Sequence, residues 1–147
     1  MTNSGRLWVL AVLGILIAVV GVDWLQAQVR LDTMSIEGQL DRPQVIANGK
    51  DTIVLTVRVT EKGQPRVNTV LQAWLESGSG YFTPQWTYTD EAGQAQFSFT
   101  PNAATPYDLL EPTVIHLIDI NVARLFEVDK HYVVEVPVQA PLTSDTK

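Results

Sequence analysis

The chain opens on an unbroken apolar run. Leu7 to Val22, LWVLAVLGILIAVVGV, holds no charged residue and no strongly polar one. A helix rises about 1.5 Å per residue, so a hydrocarbon core of about 30 Å needs roughly 20 residues. The run reaches that length once Trp24 and Leu25 are counted beyond Asp23, and Trp24 then stands where an interfacial aromatic anchor belongs. The pattern predicts a membrane-spanning helix over 7–25, with Gln26 to Leu31 continuing it beyond the membrane.

From Asp32 onward the apolar period shortens to two. Asp32 to Gln39 reads as a first strand or a linker with strand character, broken by Asp41-Arg42-Pro43. Gln44-Val45-Ile46 is a short extended piece, and Ala47-Asn48-Gly49-Lys50-Asp51 is a turn whose Asn-Gly tolerates positive φ. Thr52 to Thr60 is the clearest strand, with Ile53, Leu55, Val57 and Val59 on one face. Thr69, Leu71, Ala73 and Leu75 give a second inward face, and Gly78 and Gly80 punctuate the segment beyond it. Gln85 to Thr89 is a further strand, closed by Asp90-Glu91-Ala92-Gly93, and Ala95, Phe97 and Phe99 line the next. A loop over 101–112 leads to two long strands, Thr113 to Asn121 and His131 to Val138, with Leu125 to Val128 extending one of them. Many short strands with turns between them predict an all-β sandwich behind a single N-terminal transmembrane α-helix.

The apolar run has two readings. A cleaved signal would use Arg6 as its basic flank and end at Ala27, but Leu25 is a poor small residue at such a site. An uncleaved signal anchor is favoured. Arg6 before the span and Asp23 after it place the N-terminus in the cytoplasm, with the inner membrane as the site of anchoring and the C-terminal domain periplasmic or extracellular. Ala11, Gly14, Ala18 and Gly21 fall on one helix face, and such a stripe of small residues lets a neighbouring helix approach closely. The division expected is a cytoplasmic tail over 1–6, the span over 7–25, a juxtamembrane linker and first strand over 26–43, the sandwich over 44–138 and a tail over 139–147.

Composition narrows the partners. The 147 residues include no cysteine, so the domain of roughly 110 residues folds on its core alone. Net charge is −6, and since Arg6 and Asp23 cancel, the exported part carries all of it. An acidic domain without a basic cluster is no partner for nucleic acid, and it is not suited to lying on anionic lipid.

Several turns together resemble the bacterial immunoglobulin-like domain of the invasin and intimin type. They are Val45-Ile46-Ala47-Asn48-Gly49-Lys50-Asp51-Thr52, Gly63-Gln64-Pro65 after an alternating strand, Ser77-Gly78-Ser79-Gly80, and Thr89-Asp90-Glu91-Ala92-Gly93-Gln94-Ala95. The resemblance covers Ile36 to Thr100. It implies an immunoglobulin-like sandwich used as a spacer or binding module without catalysis. The chain departs from the family pattern after Thr100, where a Pro-bounded loop over 101–112 and a second connection over 122–130 are long. It also departs in copy number, because the family's adhesins usually carry tandem arrays and this chain has no internal repeat.

Catalytic chemistry is not legible. There is no Cys nucleophile, no Gly-x-Ser-x-Gly elbow and no Gly-rich phosphate loop before a helix. His116 and His131 would face each other if their strands pair, and with Asp129 they have the donor types of a metal site. Ordinary strand residues are the favoured reading, so no metal or cofactor is expected. The outward positions say more. Trp74, Trp86 and Tyr88 alternate with inward residues and make an exposed aromatic cluster, with Tyr81 and Phe82 nearby, of the kind that marks protein interfaces. Leu109 and Leu110 in the long loop are a second candidate contact.

Three functions are consistent with this reading. The first is a non-catalytic accessory subunit of a larger membrane complex, such as an energy-converting one, packing its helix on other integral membrane subunits and covering their exported face with its sandwich. The second is a pilin-like filament subunit. Against it, Leu10 stands where a pilin would carry Glu, and the helix is short. The third is a solitary tethered adhesion or ligand-binding module. No small-molecule ligand is expected.

Overall fold

The computed structural model describes residues 3–105, 110–119 and 130–141. Helix α1 spans Asn3–Thr33, and among the described residues eleven strands come after it: β1 Met34–Leu40, β2 Val45–Ile46, β3 Ile53–Glu61, β4 Gln64–Pro65, β5 Val70–Ser77, β6 Gly80–Thr83, β7 Trp86–Tyr88, β8 Gln94–Pro101, β9 Thr113–Asp119, β10 Lys130–Val136 and β11 Val138–Gln139. By length and composition, Leu7–Thr33 suits a membrane crossing. The side chains of residues 7–20 are exposed throughout. The helix runs two residues past the expected Leu31, and β1 begins at the next residue with no linker.

Two antiparallel sheets form the sandwich. One runs β1-β3-β8-β6, with β4 added to β3, and the other runs β10-β9-β5-β7. A small parallel pair, β2 with β11, ties the chain after Val136 back to the segment before β3. β1 pairs with β3 from Met34↔Glu61 to Leu40↔Leu55, so the strand assigned to the juxtamembrane segment belongs to the sandwich. β5 and β6 are consecutive yet lie in different sheets. The turn between them, Gly78-Ser79, carries the chain across with Gly78 at φ 90°, a conformation that glycine adopts without strain.

Strand alternation decides what is buried. Ile53, Leu55, Val57 and Val59 of β3 are fully buried, as are Phe97 and Phe99 of β8, Leu71 of β5, Ile115 and Leu117 of β9 and Val136 of β10. These side chains meet between the sheets as one core. Tyr132 closes the open edge between β1 and β10, and a Cβ at Gly38 would stand 2.8 Å from its ring. Phe82 is not part of an exposed cluster: it is buried against Phe99, with ring centres 5.2 Å apart. Tyr81 is exposed, but it lies on the opposite sheet from Trp74. The crossing of the chain at Gly78 explains this separation.

The helix is clamped to the lower end of the sandwich. Ala27 is buried, and Leu31 and Met34 join the core. A helix end leaves four carbonyls without intrahelical partners. Here Lys130 Nζ donates to the Leu31 carbonyl at 3.0 Å, the Lys62 backbone N–H donates to the Thr33 carbonyl at 2.9 Å, and Thr33 Oγ1 donates to the carbonyls of Val29 and Arg30 at 3.0 and 3.1 Å. Lys130 and Arg30 also place positive charge at the negative end of the helix dipole.

A candidate docking face and the histidine pair within it

The outer faces of the two sheets differ in chemistry. On the β1-β3-β8-β6 sheet the outward residues include Glu37, Gln39, Thr56, Arg58, Gln94 and Gln96, a polar surface interrupted by Val54 and Tyr81. On the other sheet apolar and aromatic residues stand among Gln72, Glu76, His116, His131 and Glu135. Register lines them up in rows: Val133, His116 and Trp74 across β10, β9 and β5; His131, Ile118, Gln72 and Trp86 across all four strands; and Val70 beside Tyr88. Trp86 is 59% exposed, Tyr88 52% and Val133 47%, which makes this face the exposed apolar surface of the sandwich. Trp86 and Tyr88 pack edge to face with centroids 6.0 Å apart, an arrangement favoured by the ring quadrupoles.

Trp74 points outward, as its alternation with Leu71, Ala73 and Leu75 requires, but it is half-buried rather than exposed. The His116 ring lies 4.7 Å from it at a 32° tilt, and the His131 ring stands edge-on at 6.4 Å. The three rings form one cluster because β10, β9 and β5 are neighbours in that order. His116 and His131 sit diagonally across β9 and β10, since His131 pairs with Ile118, and their centroids are 5.3 Å apart. The carboxylate beside them is Glu76, whose Oε2 is 3.3 Å from His116 Nδ1. Asp129, the carboxylate considered from the sequence, lies outside the described residues, as does Leu109. Leu110 is described and exposed. It borders a hollow at the far end of the sandwich with Ala47, Gly78, Asn102 and Val138. The structure therefore does not bring Leu110 together with Trp74, Trp86 and Tyr88.

In the apolar helix, Ala11, Gly14 and Ala18 are exposed and Gly21 is half-exposed. A Cβ at Gly14 or Gly21 would meet no atom within 4 Å. Trp24 is exposed on the same helix, before the turns that dock on the sandwich.

One polar cluster escaped sequence reasoning. Asp119 ends the inward series Ile115, Leu117, Asp119 and is fully buried. Its Oδ1 accepts from Thr69 Oγ1 at 2.9 Å, and its Oδ2 is 3.0 Å from Arg66 Nε. Arg66 Nη1 also contacts Glu61 Oε2 at 2.8 Å, and the other oxygen of Glu61 lies 3.4 Å from Arg30 Nε on the helix. Thr89 Oγ1 donates to the Arg66 carbonyl and accepts from the Thr69 N–H. The signal was present: a charged residue on the inward face of a strand demands a partner. At the far end, Asp51 is held by the Ile46 N–H at 2.8 Å, by Arg42 at 2.8 Å and by the Thr52 N–H at 3.1 Å. The Ile46 hydrogen bond, aided by Arg42, lowers its pKa below the ordinary aspartate value against the opposing effect of burial.

Comparison with known proteins identifies the sandwich. No family model and no curated protein sequence matches the chain. Among solved structures, a C-terminal 282-residue fragment of intimin in complex with the intimin-binding domain of the translocated intimin receptor is 26% identical, with TM-score 0.52, covering 69% of this chain and 33% of that one. The D00-D0 domain of intimin matches at 15% identity and TM-score 0.48, over 68% of this chain and 45% of that one. A conjugative transposon lipoprotein from Bacteroides eggerthii DSM 20697 matches at 9% identity and TM-score 0.46, over 71% and 96%. The chain thus spans less than half the length of these two intimin fragments. Its β domain has the immunoglobulin-like fold of intimin domains, as the turn motifs of residues 36–100 implied, and it lies behind an apolar N-terminal helix.

Proposed function

We propose that this chain is a non-catalytic, single-pass membrane protein that serves as an accessory subunit of a larger membrane complex. Its helix packs on a partner helix through Ala11, Gly14, Ala18 and Gly21, and Trp24 marks the outer membrane boundary of the span. Its sandwich covers the exported face of the partner through the sheet that bears Trp74, Trp86 and Tyr88. The observation that carries this reading is the asymmetry of the sandwich: one outer face is polar, while the other carries Trp86, Tyr88 and Val133 exposed beside the half-buried Trp74 and Ile118. Large exposed apolar patches are uncommon on free monomers and mark contact surfaces. The linker-free junction at Thr33–Met34 supports the same reading, because it holds that face at a set orientation above the membrane. The orientation with the N-terminus in the cytoplasm and the sandwich exported rests on Arg6 before the span and Asp23 after it.

A second reading is favoured by one comparison. The intimin fragment of 26% identity is bound to a protein receptor domain, and a tethered adhesion module would use this sandwich likewise. Gentle detergent extraction of native membranes, followed by sizing and mass spectrometry, separates the two. The accessory role requires co-migration at fixed stoichiometry with a multi-span protein, lost on Gly14→Leu with Ala18→Leu. Migration as a lone small protein sinks it and leaves the tethered module. Recovery in a sheared filament fraction would favour a filament subunit instead.

A further inference from the structure

The histidine pair on the aromatic face brings two imidazole rings close together. His116 and His131 are 5.3 Å apart centroid to centroid, on neighbouring strands and on the same side of the sheet. An imidazole bound through one nitrogen at about 2.0–2.1 Å holds its ring centre about 3.2 Å from a metal ion, so two rings at the tetrahedral angle stand about 5.2 Å apart. The observed spacing matches that value. The second observation is Glu76. Its Oε2 lies 3.3 Å from His116 Nδ1, on the β5 side of the ring. The two nitrogens of an imidazole point away from each other. With Nδ1 beside Glu76, Nε2 is the nitrogen that would take an ion. A carboxylate beside Nδ1 favours the tautomer in which Nε2 carries the lone pair, the relation that orients metal-binding histidines generally. Trp74, stacked on His116 at 4.7 Å, restrains the ring further.

We propose that His116 and His131 bind a divalent transition-metal ion, with Glu76 as the outer carboxylate that orients His116. Among the described residues no set of three His, Cys, Asp or Glu side chains is placed to hold an ion. The site is therefore a two-nitrogen half-site whose remaining positions are filled by water. His131 is exposed and the His116 side chain is 22% exposed, so in the isolated chain the ion enters directly from solvent. Nitrogen donors in an open site favour Cu2+ over Zn2+ and Ni2+ by the general stability order of these ions. The inference does not rest on membership of a complex, since the isolated chain carries both ligands.

The test uses the full chain in mild detergent, without a histidine tag. Cu2+ is titrated while tryptophan emission is followed, because an ion at this site lies beside Trp74 and quenches it. Paramagnetic resonance of the bound Cu2+ reports its nitrogen ligands. The expected result is one saturable site per chain with two nitrogen donors, abolished in His116→Asn and in His131→Asn, and weakened about 10–100-fold in Glu76→Gln. Near-ultraviolet circular dichroism verifies that each variant keeps its fold. Binding and quenching that are equal in the wild type and both histidine variants would be adventitious and would overturn the proposal. So would a nitrogen signal from a single ligand.

Discussion

Replacing Asp119 tests whether the polar cluster at the helix end is a structural tie or an accident of packing. The carboxylate is fully buried and faces Arg66, whose side chain is only 12% exposed. Asp119→Ala removes one ion-pair partner and leaves the Thr69 hydroxyl without its acceptor. Breaking a buried pair by removing one partner destabilises by about 3–5 kcal/mol, because a desolvated charge is left behind. Glu61, 2.8 Å from Arg66, still neutralises part of that charge, which places the effect near the lower end, about 3 kcal/mol. For a domain of this size that corresponds to a fall in Tm of about 10–20 °C. The assay is thermal unfolding of the detergent-solubilised chain by near-ultraviolet circular dichroism. A companion variant, Arg66→Met with Asp119→Leu, removes both charges, and stability should then return most of the way. A fall of less than about 1 kcal/mol in the single variant, the level of an exposed pair, would refute the reasoning. So would a double variant that is worse than the single one.

Two further outcomes rest on the geometry. Gly80→Ala places a Cβ 2.5 Å from the Thr100 carbonyl oxygen and 2.5 Å from the Phe99 ring, so backbone must shift; a loss of about 1–3 kcal/mol is expected in the same unfolding assay, and an unchanged Tm would contradict the packing described at β6. Asp51 has a lowered pKa in the folded chain, so its contribution to stability is present above the ordinary aspartate value of about 3.9 and is lost as pH falls through the lower folded value. Stability measured from neutral to acidic pH should show the wild type and Asp51→Asn converging only below that value, and a constant difference down to the acid limit would exclude this carboxylate as the source.

Much of the sandwich is written in its alternation. Ile53, Leu55, Val57 and Val59, and again Ala95, Phe97 and Phe99, are buried on the faces their period requires. What the period does not carry is which strand lies beside which. Trp74 reads correctly as outward, yet it is half-covered because β9 brings His116 against it. Tyr81 and Phe82 look like neighbours of Trp86 in sequence but belong to the other sheet, since the chain crosses at Gly78. The short strands β2, β4 and β11 have two residues each, too few for a period. The helix clamp joins Leu31 to Lys130, whose proximity comes from closure of the whole sandwich. Glu76 as the partner of His116 depends on the register shift between Leu75 and Ser77, which no local signal announces.

The most direct test of the account compares the two outer faces in the cell. A photo-reactive residue is placed at Trp86 on the aromatic face and, separately, at Gln96 on the polar face, and the cross-linked products from native membranes are identified. The accessory role requires one membrane protein captured at Trp86 in fixed ratio and not at Gln96, with the same protein captured by a probe at Ala18 in the span. Equal, scattered capture from both faces, or capture at Trp86 of a protein that Ala18 never reaches, would contradict it.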